Sequence, residues 1–226
     1  EKAFCAGGDL QNLYQSMLTH HASIEKDDVR ANQYARDFFN REYRLDYLIH
    51  TYPKPTLCWG HGIVMGGGIG LMAGASHRVV TEKSRLAMPE IGIGLFPDVG
   101  GSYFLNRMPG KLGLFLALTG AMVNAADAKF TKLADYAIAQ VDKSEVIEDL
   151  LKLPWSASQE KNSYLLDTVL RGSEMALEIV QGPLQLHFEA INVLCGQDDL
   201  NEIIEAIVLL EPEEAWLKKA VASLKA

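Results

Sequence analysis

The stretch Met88-Pro89-Glu90-Ile91-Gly92-Ile93-Gly94-Leu95-Phe96-Pro97-Asp98-Val99-Gly100-Gly101 sets two carboxylates in a Gly- and Pro-punctuated segment that is otherwise almost wholly apolar. Apolar flanks draw both acids out of bulk water, where an ionised carboxylate is costly unless paired. Carboxylates in such places are often tuned for proton transfer or nucleophilic attack. A surface turn with two solvated acids is the alternative, and this stretch alone leaves the two level.

The segments around it read as alternating strands and helices. Residues 54–60 form a short buried strand. Residues 66–74 are rich in small side chains and read as a turn into a tightly packed helix. Residues 77–81 and 85–88 are two more strands, joined by the polar turn Glu82-Lys83-Ser84. Helices are expected at 101–107, 111–119 and 125–133. Upstream, Asp9 can cap a helix whose stripe is Leu10, Leu13, Tyr14, Met17 and Leu18, ending at His20-His21. A second helix is expected over 29–50, closed by Tyr52-Pro53. Strands alternating with helices imply an α/β architecture. Past about Gln140 the pattern turns charged and helical, at 143–153 and 200–226, with Gly172 and Gly182-Pro183 as breaks. This predicts a core over 1–141 and a helical C-terminal portion over 142–226.

The composition bounds the partners. At 226 residues, 48% hydrophobic and 22% charged, the chain is an ordinary globular one of one large domain, or one domain with an appendage. A net charge of -8 argues against a nucleic-acid partner. It leaves room for an anionic small ligand, because backbone dipoles bind phosphate on acidic proteins. Cys5, Cys58 and Cys195 are odd in number and irregularly spaced, which argues against a disulfide framework and for a reducing compartment. No run of 18 apolar residues suggests a membrane span. The start, Glu1-Lys2-Ala3-Phe4-Cys5-Ala6-Gly7-Gly8-Asp9, lacks Met and opens inside a strand-to-loop motif, so a fragment with missing flanks is expected; any targeting peptide would lie upstream.

Two glycine turns bear on chemistry. Gly66-Gly67-Gly68 before a helix could serve close packing alone. It could also present helix N-terminal N–H groups to a developing oxyanion. Ala6-Gly7-Gly8-Asp9 is a second turn of the same kind, and the two together could form an oxyanion hole.

Phe4-Cys5-Ala6-Gly7-Gly8-Asp9-Leu10, Gly62-Ile63-Val64-Met65-Gly66-Gly67-Gly68 and the 88–101 segment resemble, in order and spacing, the crotonase (enoyl-CoA hydratase/isomerase) superfamily. Met-Pro-Glu followed by Leu-Phe-Pro-Asp-Val-Gly-Gly is similar to its 3-hydroxyisobutyryl-CoA hydrolase branch. The resemblance is specific over about residues 1–140 and loose beyond. It implies a ββα spiral core lacking its first strands, and an acyl-CoA thioester hydrolase of valine breakdown. By resemblance, the Gly8 and Gly67 N–H groups hold the thioester oxygen, Glu90 is the catalytic carboxylate and Asp98 its partner. The loop of Ala3, Ala6 and Asp9 lines the coenzyme A site. No metal or redox cofactor is implied, coenzyme A being part of the substrate. The implied compartment is the cytoplasm for a bacterial chain and the mitochondrial matrix for a eukaryotic one.

One position separates the branches. Hydratases of the superfamily place a second glutamate where this chain has Gly70, so hydration is disfavoured. Isomerisation at Glu90 alone survives as a rival, as does a non-catalytic acyl-CoA-binding protein. Glu42 falls with Phe38, Leu45 and Ile49 on one helical face. It is either an ion-pair partner of Arg41, Arg44 or a distant arginine, or an acceptor for a substrate hydroxyl, as the resemblance implies. Cys5 and His61 read as structural and His20-His21 as solvated. Trp155, Trp216 and the leucines of 200–210 read as helix packing, or as the contact of a homo-oligomer.

Overall fold

The computed structural model describes residues 2–175 and 181–225. Glu1 and Ala226, which the expected spans include, lie outside them. The strands are short, and successive ones alternate between two sheets. β1 (Ala3–Cys5), β3 (Ile63–Met65) and β5 (Arg85–Ala87) pair in parallel in the order β1-β3-β5. β2 (Leu57–Gly60), β4 (His77–Val80) and β6 (Tyr136–Ala137) pair in parallel in the order β2-β4-β6. Ile63 stands opposite Arg85 and Cys58 opposite Arg78 in unbroken registers, whereas the β1–β3 register shifts between Ala3 and Cys5. Parallel sheets bury both faces, and Val64, Val79, Val80 and Leu86 are fully buried. The turn at 82–84 passes the chain from one sheet to the other, Ser84 Oγ donating to Gly60 O at 2.5 Å.

Side-chain caps decide where the long helices begin. Asp9 accepts from Asn12 N at 3.1 Å and starts α1 (Leu10–His21). Asn32 accepts from Ala35 N at 3.1 Å and starts α2 (Gln33–His50). The helix expected from 29 therefore begins later, and Val29–Ala31 is a separate 3-10 turn capped by Asp28. α3 (Gly67–Gly74) follows β3 directly. The segment expected at 101–107 divides into α4 (Gly101–Phe104) and the 3-10 turn Leu105–Arg107. α5 (Leu112–Thr119) and α6 (Ala125–Phe130) follow, α6 ending short of 133 where Lys132 takes a positive φ of 62°.

Past β6 come α7 (Lys143–Leu151), α8 (Gln159–Gly172), α9 (Pro183–Leu186), α10 (Phe188–Leu194), α11 (Leu200–Val208) and α12 (Ala215–Lys225). The expected helix over 200–226 is broken around Pro212 into α11 and α12. Two apolar clusters organise these elements. α7 and α8 cover the β2-β4-β6 sheet, Val146, Leu150, Leu166 and Leu170 meeting Trp59, Val79 and Tyr136. α9 to α12 pack with α3 and α5 in the larger cluster through Leu184, Ile191, Ile203, Ile207 and Val221. Trp216 packs inside the chain, its ring 6.0 Å from Phe115 and its Nε1 donating to Met122 O at 2.7 Å. Leu200 and Leu209 are exposed.

Candidate active site

Parallel pairing of β1 with β3 sets the two glycine turns side by side, because both follow the C-terminal ends of neighbouring strands. Gly7 has φ +97°, a conformation that favours glycine, and a Cβ there would lie 3.8 Å from Gly67 N. Gly66, at φ +52°, turns the chain into α3. Gly67 opens that helix, and the first N–H groups of a helix lack intrahelical partners. Gly8 N–H has no protein acceptor among the described residues. Two free donors thus border one cleft.

α2 lies across both turns in a repeating register. A Cβ on Gly8 would strike the Phe38 ring, and one on Gly67 would strike Glu42 Oε1. A Cβ on Gly70 would come within 3.1 Å of Asp46 Oδ1, and one on Gly74 within 3.3 Å of Ile49 Cγ2. Only glycine lets the two helices approach this closely. The face of α2 turned to the site is therefore Phe38, Glu42, Asp46 and Ile49. Leu45, expected on that face, is exposed. It lies on the other flank of Glu42 from Asp46, away from α3.

The 88–101 segment supplies the opposite wall. Glu90 sits on the 3-10 turn Pro89–Ile93, which Gly94 ends in a left-handed conformation, with Leu95 N donating back to Glu90 O at 3.0 Å. Glu90 is 8% exposed, and its Oε2 is buried without a hydrogen-bond partner. A Cβ on Gly66 would come within 2.9 Å of Glu90 Oε1, which places the carboxylate against the Gly66-Gly67 turn. Asp98 accepts from the Tyr43 hydroxyl at 2.7 Å, tying this segment to α2. A cavity of about 340 Å³ is lined by Ala6, Gly8, Phe38, Glu42, Gly67, Glu90 and Asp98, among others, and by Ser223 of α12.

The electrostatics are one-sided. Burial pushes the Glu90 acid up to about 7; its own backbone N–H opposes this, and the Asp98 and Glu42 charges add to it. Burial, then the Asp98 charge, raises Glu42. Asp46 is pushed up to about 7 by burial and then by the Glu42 and Asp98 charges, and both its oxygens are buried without partners. Among the described residues no ion pair involves any of these four acids. That removes the ion-pair reading of Glu42. An acid near neutrality beside free N–H donors can exchange protons or attack a carbonyl whose oxygen those donors hold.

Of the residues singled out in the sequence, Glu90, Asp98, Glu42, Gly8, Gly67 and Ala6 meet in one cavity. Ala3 lies in β1, and Asp9 is exposed as the α1 cap; neither lines the cavity. His61 sits between sheets, its backbone accepting from Phe4 N at 2.9 Å. His20 Nε2 is buried rather than solvated. Sequence reasoning missed Asp46, Tyr43 and Ser223. The i, i+4 spacing of Glu42 and Asp46 is a usable signal for Asp46, but nothing local points to a serine 125 positions past Asp98.

Comparison with known proteins bears on this geometry. The family model described as enoyl-CoA hydratase/isomerase matches residues 1–226. A protein named 3-hydroxyisobutyryl-CoA hydrolase, mitochondrial, from Danio rerio is 40% identical over 232 residues, covering 100% of this chain and 57% of its own length. The protein of the same name from Gallus gallus is 39% identical over 212 residues, covering 92% and 50%. The crystal structure of a carnitinyl-CoA dehydratase from Mycobacterium thermoresistibile superposes with a TM-score of 0.77 at 34% identity, covering 99% of this chain and 58% of that one. The chain spans about half the length of the curated relatives it matches. With its alternating two-sheet core and a match along its whole length, the chain belongs to the enoyl-CoA hydratase/isomerase family.

Proposed function

We propose that the protein hydrolyses an acyl-CoA thioester, with 3-hydroxyisobutyryl-CoA as substrate and 3-hydroxyisobutyrate and coenzyme A as products. The observation that supports this most is the placement of Glu90: a buried acid with one unpartnered oxygen, against the Gly66-Gly67 turn and across from Asp98. The thioester oxygen sits on the Gly8 and Gly67 N–H groups. Glu90 either attacks the carbonyl carbon, giving a mixed anhydride that water then opens, or takes a proton from the water that attacks. In both routes the C–S bond breaks and the thiolate leaves with a proton from the solvent or from Asp98. Glu42, over Gly67, accepts from the substrate's 3-hydroxyl. The reaction needs no metal or redox cofactor. The relatives' printed names support the substrate and, for a eukaryotic source, the mitochondrial matrix; for a bacterial source we propose the cytoplasm.

One observation favours a second reading. The place of the missing hydratase glutamate at Gly70 adjoins the Asp46 carboxylate, so a second acid stands nearby after all. Hydration is still the weaker reading, because Asp46 lines a different cavity from Glu90. The test is free-thiol release by the full-length protein from 3-hydroxyisobutyryl-CoA, alongside loss of the enoyl absorbance of crotonyl-CoA. Thiol release without hydration supports hydrolysis; hydration without thiol release overturns it. Single turnover in oxygen-18 water tests the first route: label in the Glu90 carboxylate marks an anhydride opened at the Glu90 carbonyl carbon, which the general-base route never gives.

A further inference from the structure

Behind the reaction cavity lies a second one of about 290 Å³, lined chiefly by apolar surface from Tyr43, Gly70, Ala73, Val99, Tyr103 and Phe104, with Asp46 at one side. The two cavities are built from the same three segments, one step apart on each. α2 gives Glu42 to the first and Asp46 to the second. α3 gives Gly67 to the first and Gly70 to the second. The 88–101 segment gives Asp98 to the first and Val99 to the second.

Two contacts stand on that boundary. One is the Tyr43–Asp98 hydrogen bond at 2.7 Å. The other is Val99, which lines the second cavity directly after Asp98 lines the first, and whose Cβ would lie 2.5 Å from a Cβ on Gly70. Val99 is 6% exposed and has φ +41°, a region that a β-branched residue almost never enters. Such an outlier persists only where its surroundings impose it, and it then often marks a functional position. Asp98 precedes it and is fixed to Tyr43, while Gly100 follows at φ +87°. The backbone between them turns the valine side chain onto Gly70.

Resting on the thioester reading above, we propose that Val99 is a specificity-determining wall: it confines the acyl group to the reaction cavity and shuts longer chains out of the second cavity. A chain that passed this wall would run along α2 from Glu42 toward Asp46, about 6 Å further on at the helical rise. It would meet mostly apolar surface. Asp46 is tolerable there because its acid, pushed up to about 7, is largely uncharged below neutrality.

The experiment is calorimetric titration of the full-length protein with thioether analogues of coenzyme A carrying a butyl or a decyl chain. Neither can be hydrolysed, so binding is read apart from any chemistry. Val99→Gly removes the wall and suits the positive φ; Val99→Ala removes most of it. Each is expected to raise the decyl-over-butyl affinity ratio by about tenfold or more, since every methylene buried adds severalfold. Ala73→Phe in the Val99→Gly background fills the second cavity and should return the ratio to its original value. Ala73→Phe alone should leave the ratio unmoved, because the wall already keeps the chain out. An unchanged ratio in both Val99 variants, or a fall in the ratio with Ala73→Phe alone, overturns the proposal. Absence of thiol release from short acyl-CoAs by the unaltered protein would sink the hydrolase reading instead, whatever the titrations give.

Discussion

Two segments each bring two acids to this site and the cavity next to it, and they hold them by different means. Glu42 and Asp46 lie one helical turn apart on α2, a regular helix laid over the glycines of α3. Glu90 and Asp98 lie on irregular backbone, between a 3-10 turn, a left-handed Gly94 and the positive-φ pair Val99 and Gly100. A helix can only repeat a direction every turn, so its acids face one strip of α3 and line its cavities from the side. The irregular segment can aim each carboxylate separately, and it aims Glu90 at the Gly66-Gly67 turn. Under the proposed function this is a division of labour: broken backbone for the reacting group Glu90, regular helix for Glu42, which reads the substrate.

That division is broken most directly at Glu90. Glu90→Gln keeps the shape but is neither a base nor a nucleophile, and thiol release should fall by roughly 10³-fold or more. Thermal unfolding at neutral pH should show no loss of stability, because the native acid is raised by burial and so costs stability when ionised. Near-normal turnover of this variant would end the proposed mechanism. Asp98→Asn retains an acceptor for the Tyr43 hydroxyl yet cannot take up or give a proton. It should lower kcat by about 10²-fold with little change in KM. A change in KM alone would make Asp98 a binding residue, and the two segments would then not differ as described.

Much of this contrast was legible in the chain before folding. The spacing of small residues marked both glycine turns, and two acids in an apolar, Gly- and Pro-broken stretch stood out wherever that stretch folded. The family resemblance then joined them, and the cavity does gather Gly8, Gly67, Glu42, Glu90 and Asp98. Helical periodicity alone misassigned the α2 face, because Leu45 and Asp46 flank Glu42 almost symmetrically and only the position of α3 chooses between them. Ser223 was out of reach for a different reason. It arrives by the long-range docking of α12 on α5 and the Glu90 turn, which no local pattern encodes.

On the helical side of the comparison the effects should be smaller and concern selection. Glu42 is only half-buried, so leaving it without its hydroxyl donor costs less than in a sealed site. The preference for 3-hydroxyisobutyryl-CoA over isobutyryl-CoA, as a ratio of kcat/KM, should fall by roughly tenfold in Glu42→Ala, below the limit reached by fully enclosed polar pockets. An unchanged ratio would remove the substrate assignment while leaving the hydrolase.

Asp46 is the mildest test and the one that isolates electrostatics from chemistry, since it lines the cavity behind the reaction site. Its acid is raised by burial, and by Glu42 and Asp98, from an ordinary value near 4 to about 7. Between those two values the folded chain holds a proton that the unfolded chain has released. Stability attributable to this group must therefore fall as pH rises through that window, and the penalty is complete above about 7. Asp46→Asn removes the titration and keeps the volume. It should match the unaltered protein near pH 4 and exceed it at pH 8, by on the order of 1 kcal/mol once solvent screening of a partly exposed site is allowed for. For a chain this long that is roughly 2–4 °C in Tm. Turnover of the short substrate should change less than threefold, a bound that follows from placing Asp46 outside the reacting set. A stability gain independent of pH would mean the acid is not the source of the penalty. A large loss of kcat would bring Asp46 into the reaction and, with it, the hydration chemistry that Gly70 argues against.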